Sequence, residues 1–212
     1  MLPFPRAIVS DFDFTVSHFI SGIETVLELF TSRGVPHDVA HTSWQAAEER
    51  GFSLRVFTEE IELRTSRHFA PSALKVDFTK WMIKNIRPYE DSFLAFVAWQ
   101  ALRIPVIFVS FGDTVYQRDK IALSTLPHTG MHIVQNKSHK VNIVREILRL
   151  YGPPIIHLED DVTILDVIYE TGLGMQIQTI WVHRPDSPYA TTPARYPHLV
   201  ITALTDLSFS NA

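Results

Sequence analysis

Short, unbroken apolar runs recur along the chain and stop abruptly in polar clusters. Ala7-Ile8-Val9 ends at Ser10-Asp11, Val106-Ile107-Phe108-Val109 ends at Ser110-Phe111-Gly112, and Ile155-Ile156-His157-Leu158 ends at Glu159-Asp160-Asp161. An apolar run without alternation predicts a strand buried on both faces. Between these runs the period lengthens. Val144, Ile147, Leu148 and Tyr151 share one face of a helix, as do Phe93, Phe96 and Val97. The same reading places helices near 114–125 and 162–171 and strands near 131–135 and 177–182. Strands alternating with helices predict an α/β fold: a doubly wound, Rossmann-like parallel sheet covered on both faces.

Residues 17–86 break that alternation. Ile23, Val26, Leu27 and Phe30 fall at i, i+3, i+4 and i+7, and Gly34 is a suitable stop. Ala and Glu remain plentiful beyond it, and Pro36, Gly51 and Pro71 punctuate the stretch. The expected organisation is an α/β core from residues 1–16 and 87–212, interrupted by a small all-helical domain at 17–86. Trp44, Phe52, Phe57, Phe69 and Trp81 can line a ligand surface there, but aromatics at helical spacing more often form a core.

Composition narrows the field. The chain has 212 residues, 46% hydrophobic and 20% charged, with 19 Lys and Arg against 23 Asp and Glu. A net charge of −4 offers no broad surface for nucleic acid or anionic lipid. The absence of Cys excludes disulfide scaffolds, thiolate metal sites and cysteine nucleophiles. No run approaches the ~20 apolar residues of a membrane span. The opening MLPFPRAIVSD lacks a basic leader and a long apolar segment, so a cytoplasmic location is expected.

In parallel sheets, ligands bind beyond the carboxyl ends of the strands, where the polar clusters fall. Taken singly they are bland: Asp-x-Asp-x-Thr is a common turn or cap, a Ser after a strand caps, and a Lys before a helix is usually solvated. Together they pose an electrostatic problem. Carboxylates from two strand ends meeting in one crevice cost several kcal/mol unless protonated or compensated. Oxygen ligands alone suit Mg²⁺, which completes its shell with water and substrate phosphate. The Ser110 hydroxyl, the Lys140 ammonium and the backbone amides after Asp11 are suited to hold phosphate oxygens.

Asp11-Phe12-Asp13-Phe14-Thr15, then Ser110, then Lys140, then Glu159-Asp160-Asp161 resembles, in order, the four signature motifs of the haloacid dehalogenase (HAD) superfamily of phosphohydrolases. The resemblance extends over nearly the whole chain. It implies a Mg²⁺-dependent phosphatase acting on a small phosphomonoester. Asp11 would be the nucleophile, forming a phosphoaspartyl intermediate, and Asp13 the general acid and base. Ser110 and Lys140 would bind the phosphoryl group. Asp11, the Asp13 backbone carbonyl and Asp160 would hold the metal, while Glu159 or Asp161 would orient water. Asp13 favours phosphatase over dehalogenase, which needs no leaving-group acid at that position. The helical stretch takes the place of the family's cap, which closes over the site and selects substrate.

The chain departs from the family pattern at three points. Phe14 stands where Gly is common. The fourth motif is acidic in two registers, Glu159-Asp160 or Asp160-Asp161. Lys137 rivals Lys140 as the third. A phosphotransferase would use the same residues, and a catalytically degenerate phosphate- or partner-binding protein would keep the fold. Other classes fit less well. An EF-hand loop needs Gly at its sixth position and Glu at its twelfth, where Val16 and Gly22 stand. The ten His form no His-Glu-x-x-His pattern, and no P-loop is present. A response-regulator receiver has its acidic pair on the first strand and its Lys last, the reverse of this order.

Overall fold

A computed structural model describes residues 1–210. In chain order the elements begin with β1 (Leu2–Pro3), β2 (Ala7–Ser10) and β3 (Ser17–Phe19). Helices α1 (Glu24–Thr31), α2 (His37–Glu49), α3 (Leu54–Thr65) and α4 (Pro71–Asn85) follow. Then come β4 (Ile86–Pro88), α5 (Glu90–Ala101), β5 (Val106–Phe111), α6 (Thr114–Ser124) and β6 (Gly130–Val134). The chain continues through α7 (Lys140–Tyr151), β7 (Ile155–Glu159), α8 (Val162–Glu170), β8 (Ile177–Val182), β9 (Leu199–Ile201) and β10 (Phe209–Ser210). Among the described residues, no helix is long and apolar enough to cross a membrane.

These elements form two compact units. The first comprises Met1–His18, Pro88–Phe111 and Thr125–Ala212. Its sheet runs β6-β5-β2-β7-β8-β9, every neighbouring pair parallel. The order reverses direction at β2, which carries Asp11 at its carboxyl end, and the register aligns Ser10 with Phe108 on one side and Leu158 on the other. The sheet is covered on both faces, as unbroken apolar strands require. Val9, Val109 and Ile155 pack with Val144 and Ile147 of α7 and Ile168 of α8. Phe108, whose side chain lies on the opposite face, stacks on Phe96 of α5 with ring centroids 5.5 Å apart.

The second unit is Phe19–Arg87 with Gly112–Ser124. Trp44, Phe52, Phe57 and Trp81 are buried in its core, and Phe69 packs against it. Sequence reading assigns the helix near 114–125 to the alternating core, but α6 belongs to this second unit. The cause is Tyr116, whose ring lies 5.0 Å from Phe52 and 5.8 Å from Phe78, within the same aromatic cluster.

One helix gives a direct test of this packing. Ile147 is 3% exposed and Leu150, three residues on, 76% exposed. Ile147→Ala should cost about 2–5 kcal/mol in urea unfolding, and Leu150→Ala no more than about 0.5 kcal/mol. Similar losses at both positions would contradict the assigned face of α7.

Candidate active site

The first motif occupies a tight loop after β2. The Asp11 amide donates to the Leu158 carbonyl at 2.9 Å, which pins the loop to the end of β7. Val16 and Ser17 amides both donate to the Phe12 carbonyl at 3.1 Å, and the Phe14 amide donates to Ser17 at 2.7 Å. Closing this turn places Phe14 at φ 54°, in the left-handed region. That conformation suits glycine and costs a side-chain-bearing residue about 1–2 kcal/mol. This chain keeps the loop geometry with Phe.

From this loop and the end of β7, three buried carboxylates converge. Asp11, Glu159 and Asp160 each present an oxygen within 4.8 Å of the others. Lys140, the first residue of α7, reaches Asp11 at 2.8 Å and Glu159 at 2.9 Å and is itself buried. An ammonium at a helix N-terminus opposes the helix dipole, so these two carboxylates account for its placement. Burial disfavours its charge, but Asp11 and then Glu159 outweigh burial and raise its pKa.

Asp160 is gripped on both oxygens. Thr15 Oγ1 donates to Oδ1 at 3.1 Å and Ser187 Oγ to Oδ2 at 2.6 Å. Trp181 Nε1 donates to its backbone carbonyl at 3.0 Å. Burial, then the charge of Asp11, push its carboxyl up to about 7, against the pull of Ser187, Lys140 and Thr15. Burial and Asp11 likewise raise Glu159 well above the carboxylate range. His157, two residues back on β7, is pushed by burial down to about 3 and contributes no charge at neutral pH. Were all three ionised, the one ammonium would leave a deficit of two positive charges in this buried all-oxygen site, which the cluster lessens by holding on to protons at Glu159 and Asp160. A divalent, oxygen-seeking cation fits that deficit in charge and donor type.

The remaining candidates separate cleanly. Asp161 lies outside the converging trio. It caps α8, accepting from Thr163 N at 3.2 Å and Thr163 Oγ1 at 2.6 Å, and pairs with Lys137 at 3.0 Å. Lys137 also donates to the Tyr189 hydroxyl. The acidic pair gathered at Asp11 is thus Glu159-Asp160, and the lysine at Asp11 is Lys140. Ser110 is buried at the end of β5, on the strand beside β2. Asp13 lies two residues beyond Asp11, half-buried, and its side chain is not among the three converging carboxylates. Ser187 and Arg184 were not singled out in the sequence, although both sit beyond the carboxyl end of β8, where the strand-end rule directs attention.

No family model matches the chain, and no curated protein matches its sequence. Solved structures do match. A protein described as a haloacid dehalogenase-like hydrolase from Burkholderia xenovorans has a TM-score of 0.69 at 16% identity, covering 94% of each chain. A defluorinating L-2-haloacid dehalogenase scores 0.64 at 18% identity, covering 95% of this chain and 92% of its own. A protein described as a phosphoglycolate phosphatase from Haemophilus somnus scores 0.62 at 12% identity, covering 95% of each. The chain has the HAD-superfamily fold, a Rossmann-like α/β fold whose six-stranded sheet is entirely parallel.

Two outcomes check the site. Phe14→Gly should be more stable than Phe14→Ala by about 1 kcal/mol in urea unfolding, because the comparison removes the same ring and differs in the strain at φ 54°. Equal stabilities would contradict a strained backbone. The second concerns pH. The Asp160 carboxyl, near 7 folded against ~3.9 unfolded, binds its proton more tightly in the folded state. In metal-free buffer its contribution to stability therefore falls as pH rises from about 4 through 7. A bound cation relieves the same repulsion, so Mg²⁺ should raise the melting temperature more at pH 8 than at pH 5. Equal shifts would argue against metal at these carboxylates.

Proposed function

We propose that the protein is a Mg²⁺-dependent phosphatase that hydrolyses a small phosphomonoester through a phosphoaspartyl intermediate on Asp11. The observation that carries this reading is the buried set of Asp11, Glu159 and Asp160 around the single ammonium of Lys140. Its two-charge deficit calls for a dication, and a dication suits an anionic phosphate better than it suits a haloalkane.

The carboxylates of Asp11 and Asp160 and the backbone carbonyl of Asp13 would hold the ion, with Glu159 bordering it. Bound there, Mg²⁺ supplies charge that offsets the repulsion between an anionic nucleophile and an anionic phosphate. The chain's own groups do the rest. An Asp11 oxygen attacks phosphorus as the phosphorus–oxygen bond to the leaving alcohol breaks. Asp13, protonated at the start, gives its proton to that alcohol. It then takes one from the water that attacks the phosphoaspartate, which releases inorganic phosphate and regenerates Asp11. Such proton transfer is worth ~10²–10⁴ in rate. Lys140 orients Asp11 and, with Ser110, binds the phosphoryl oxygens. The helices α1 to α4, which fall in the chain between the first and second motifs, would take the cap's part in selecting substrate.

With 4-nitrophenyl phosphate and added Mg²⁺, the chain should release phosphate. EDTA should abolish the activity, and Asp11→Asn should lower it roughly 10³-fold or more. Asp13→Asn should cost less with 4-nitrophenol, a good leaving group, than with an alkyl phosphate whose alkoxide must be protonated. Halide release from L-2-chloropropionate without phosphatase activity, or undiminished turnover by Asp11→Asn, would refute the proposal.

A further inference from the structure

The segment after β8 reads Arg184-Pro185-Asp186-Ser187-Pro188-Tyr189-Ala190. Its two prolines each occupy the second position of a turn. The Ser187 amide donates to the Arg184 carbonyl at 3.1 Å across Pro185, and the Ala190 amide to the Ser187 carbonyl at 3.1 Å across Pro188. Proline presets the backbone for that position and stiffens both turns. Ser187 is the joint between them, and it is buried.

Its hydroxyl has one proton, and the surroundings direct where it goes. Ser187 Oγ accepts from the Tyr189 amide at 3.0 Å, so its proton is donated to Asp160 Oδ2, 2.6 Å away. The other donor to Asp160, Thr15, is held from the same segment. Arg184 Nε and Nη2 both donate to the Thr15 carbonyl at 3.3 Å. Arg184 is anchored in turn by Asp91, at 3.0 Å and 2.8 Å on its two oxygens, and by the Thr202 carbonyl at 2.8 Å. Asp186 extends the segment's grip to Tyr89, whose hydroxyl donates to its carboxylate at 2.8 Å. One short loop therefore governs both hydrogen bonds that orient the Asp160 carboxylate.

We propose that Ser187 is a positioning residue for a divalent cation: by fixing Oδ2 of Asp160, it sets the orientation in which that carboxylate meets the ion. This rests on the metal-dependent reading of the site. Ser187 touches neither substrate nor phosphorus. Its effect passes through Asp160, as with the outer partners of metal ligands generally, whose loss costs about 10- to 100-fold in metal affinity.

The test uses the full chain and Mn²⁺ alone, with free Mn²⁺ counted by electron paramagnetic resonance and folding checked by circular dichroism. Ser187→Ala should weaken Mn²⁺ binding about 10- to 100-fold. Ser187→Cys keeps the size with only a weak donor, and the same loss is expected there if the alanine variant does not fold. Asp160→Ala should weaken binding further, and adding Ser187→Ala to it should change nothing more, because the hydroxyl then has no side-chain oxygen to orient. Wild-type affinity in both Ser187 variants, or an equal loss with and without the Asp160 carboxylate, would overturn the proposal while leaving the metal site standing. A wild-type chain that binds no Mn²⁺ would overturn the metal site and this proposal together.

Discussion

Asp11, Glu159 and Asp160 bring three carboxyl groups to one buried end of a parallel sheet, and Lys140 offers a single positive charge among them. Burying like charges this closely costs several kcal/mol, so the surrounding structure is organised to tolerate them. Lysine stands where a helix dipole opposes it. A histidine beneath is kept neutral. Both oxygens of Asp160 accept hydrogen bonds from buried hydroxyls. Without a cation the cluster must keep a proton, and the raised pKa values of Asp160 and Glu159 express that need.

Much of this was legible in the sequence because parallel-sheet geometry turns the end of an apolar run into a location. Ala7–Ser10 and Ile155–Glu159 pair as neighbours, so Asp11 and Glu159-Asp160 had to emerge side by side. What the sequence left open were matters of side-chain direction. Asp161 is as acidic as its two predecessors, but it caps α8 and spends its carboxylate on Thr163 and Lys137. Lys137 and Lys140 differ by one helical turn, and which of them meets Asp11 depends on where α7 starts. Helix α6 is a similar case: its pattern identifies a helix, but the packing of Tyr116 decides which core it joins.

Phe14 and Ser187 show two further limits. Phe14 reads as a departure from the resemblance, yet the backbone it occupies is the left-handed one that glycine favours, so the loop survives at a cost in strain. Ser187 carried no signal by spacing, because its partner Asp160 is 27 residues away on another element. The turn-forming prolines around it are readable, but not the destination of its proton. Elements and strand ends follow from periodicity, whereas the hydrogen bonds that orient a carboxylate arise from the loops between them.

The central claim, that a dication and Asp11 face one phosphoryl position, is tested most directly by a crystal structure grown with Mg²⁺ and beryllium fluoride, a mimic of the phosphoryl group on aspartate. The account predicts a trifluoroberyllate bonded to Asp11, with the ion ligated by Asp11 and Asp160. Beryllium fluoride on another residue, or an ion held away from these two carboxylates, would contradict it.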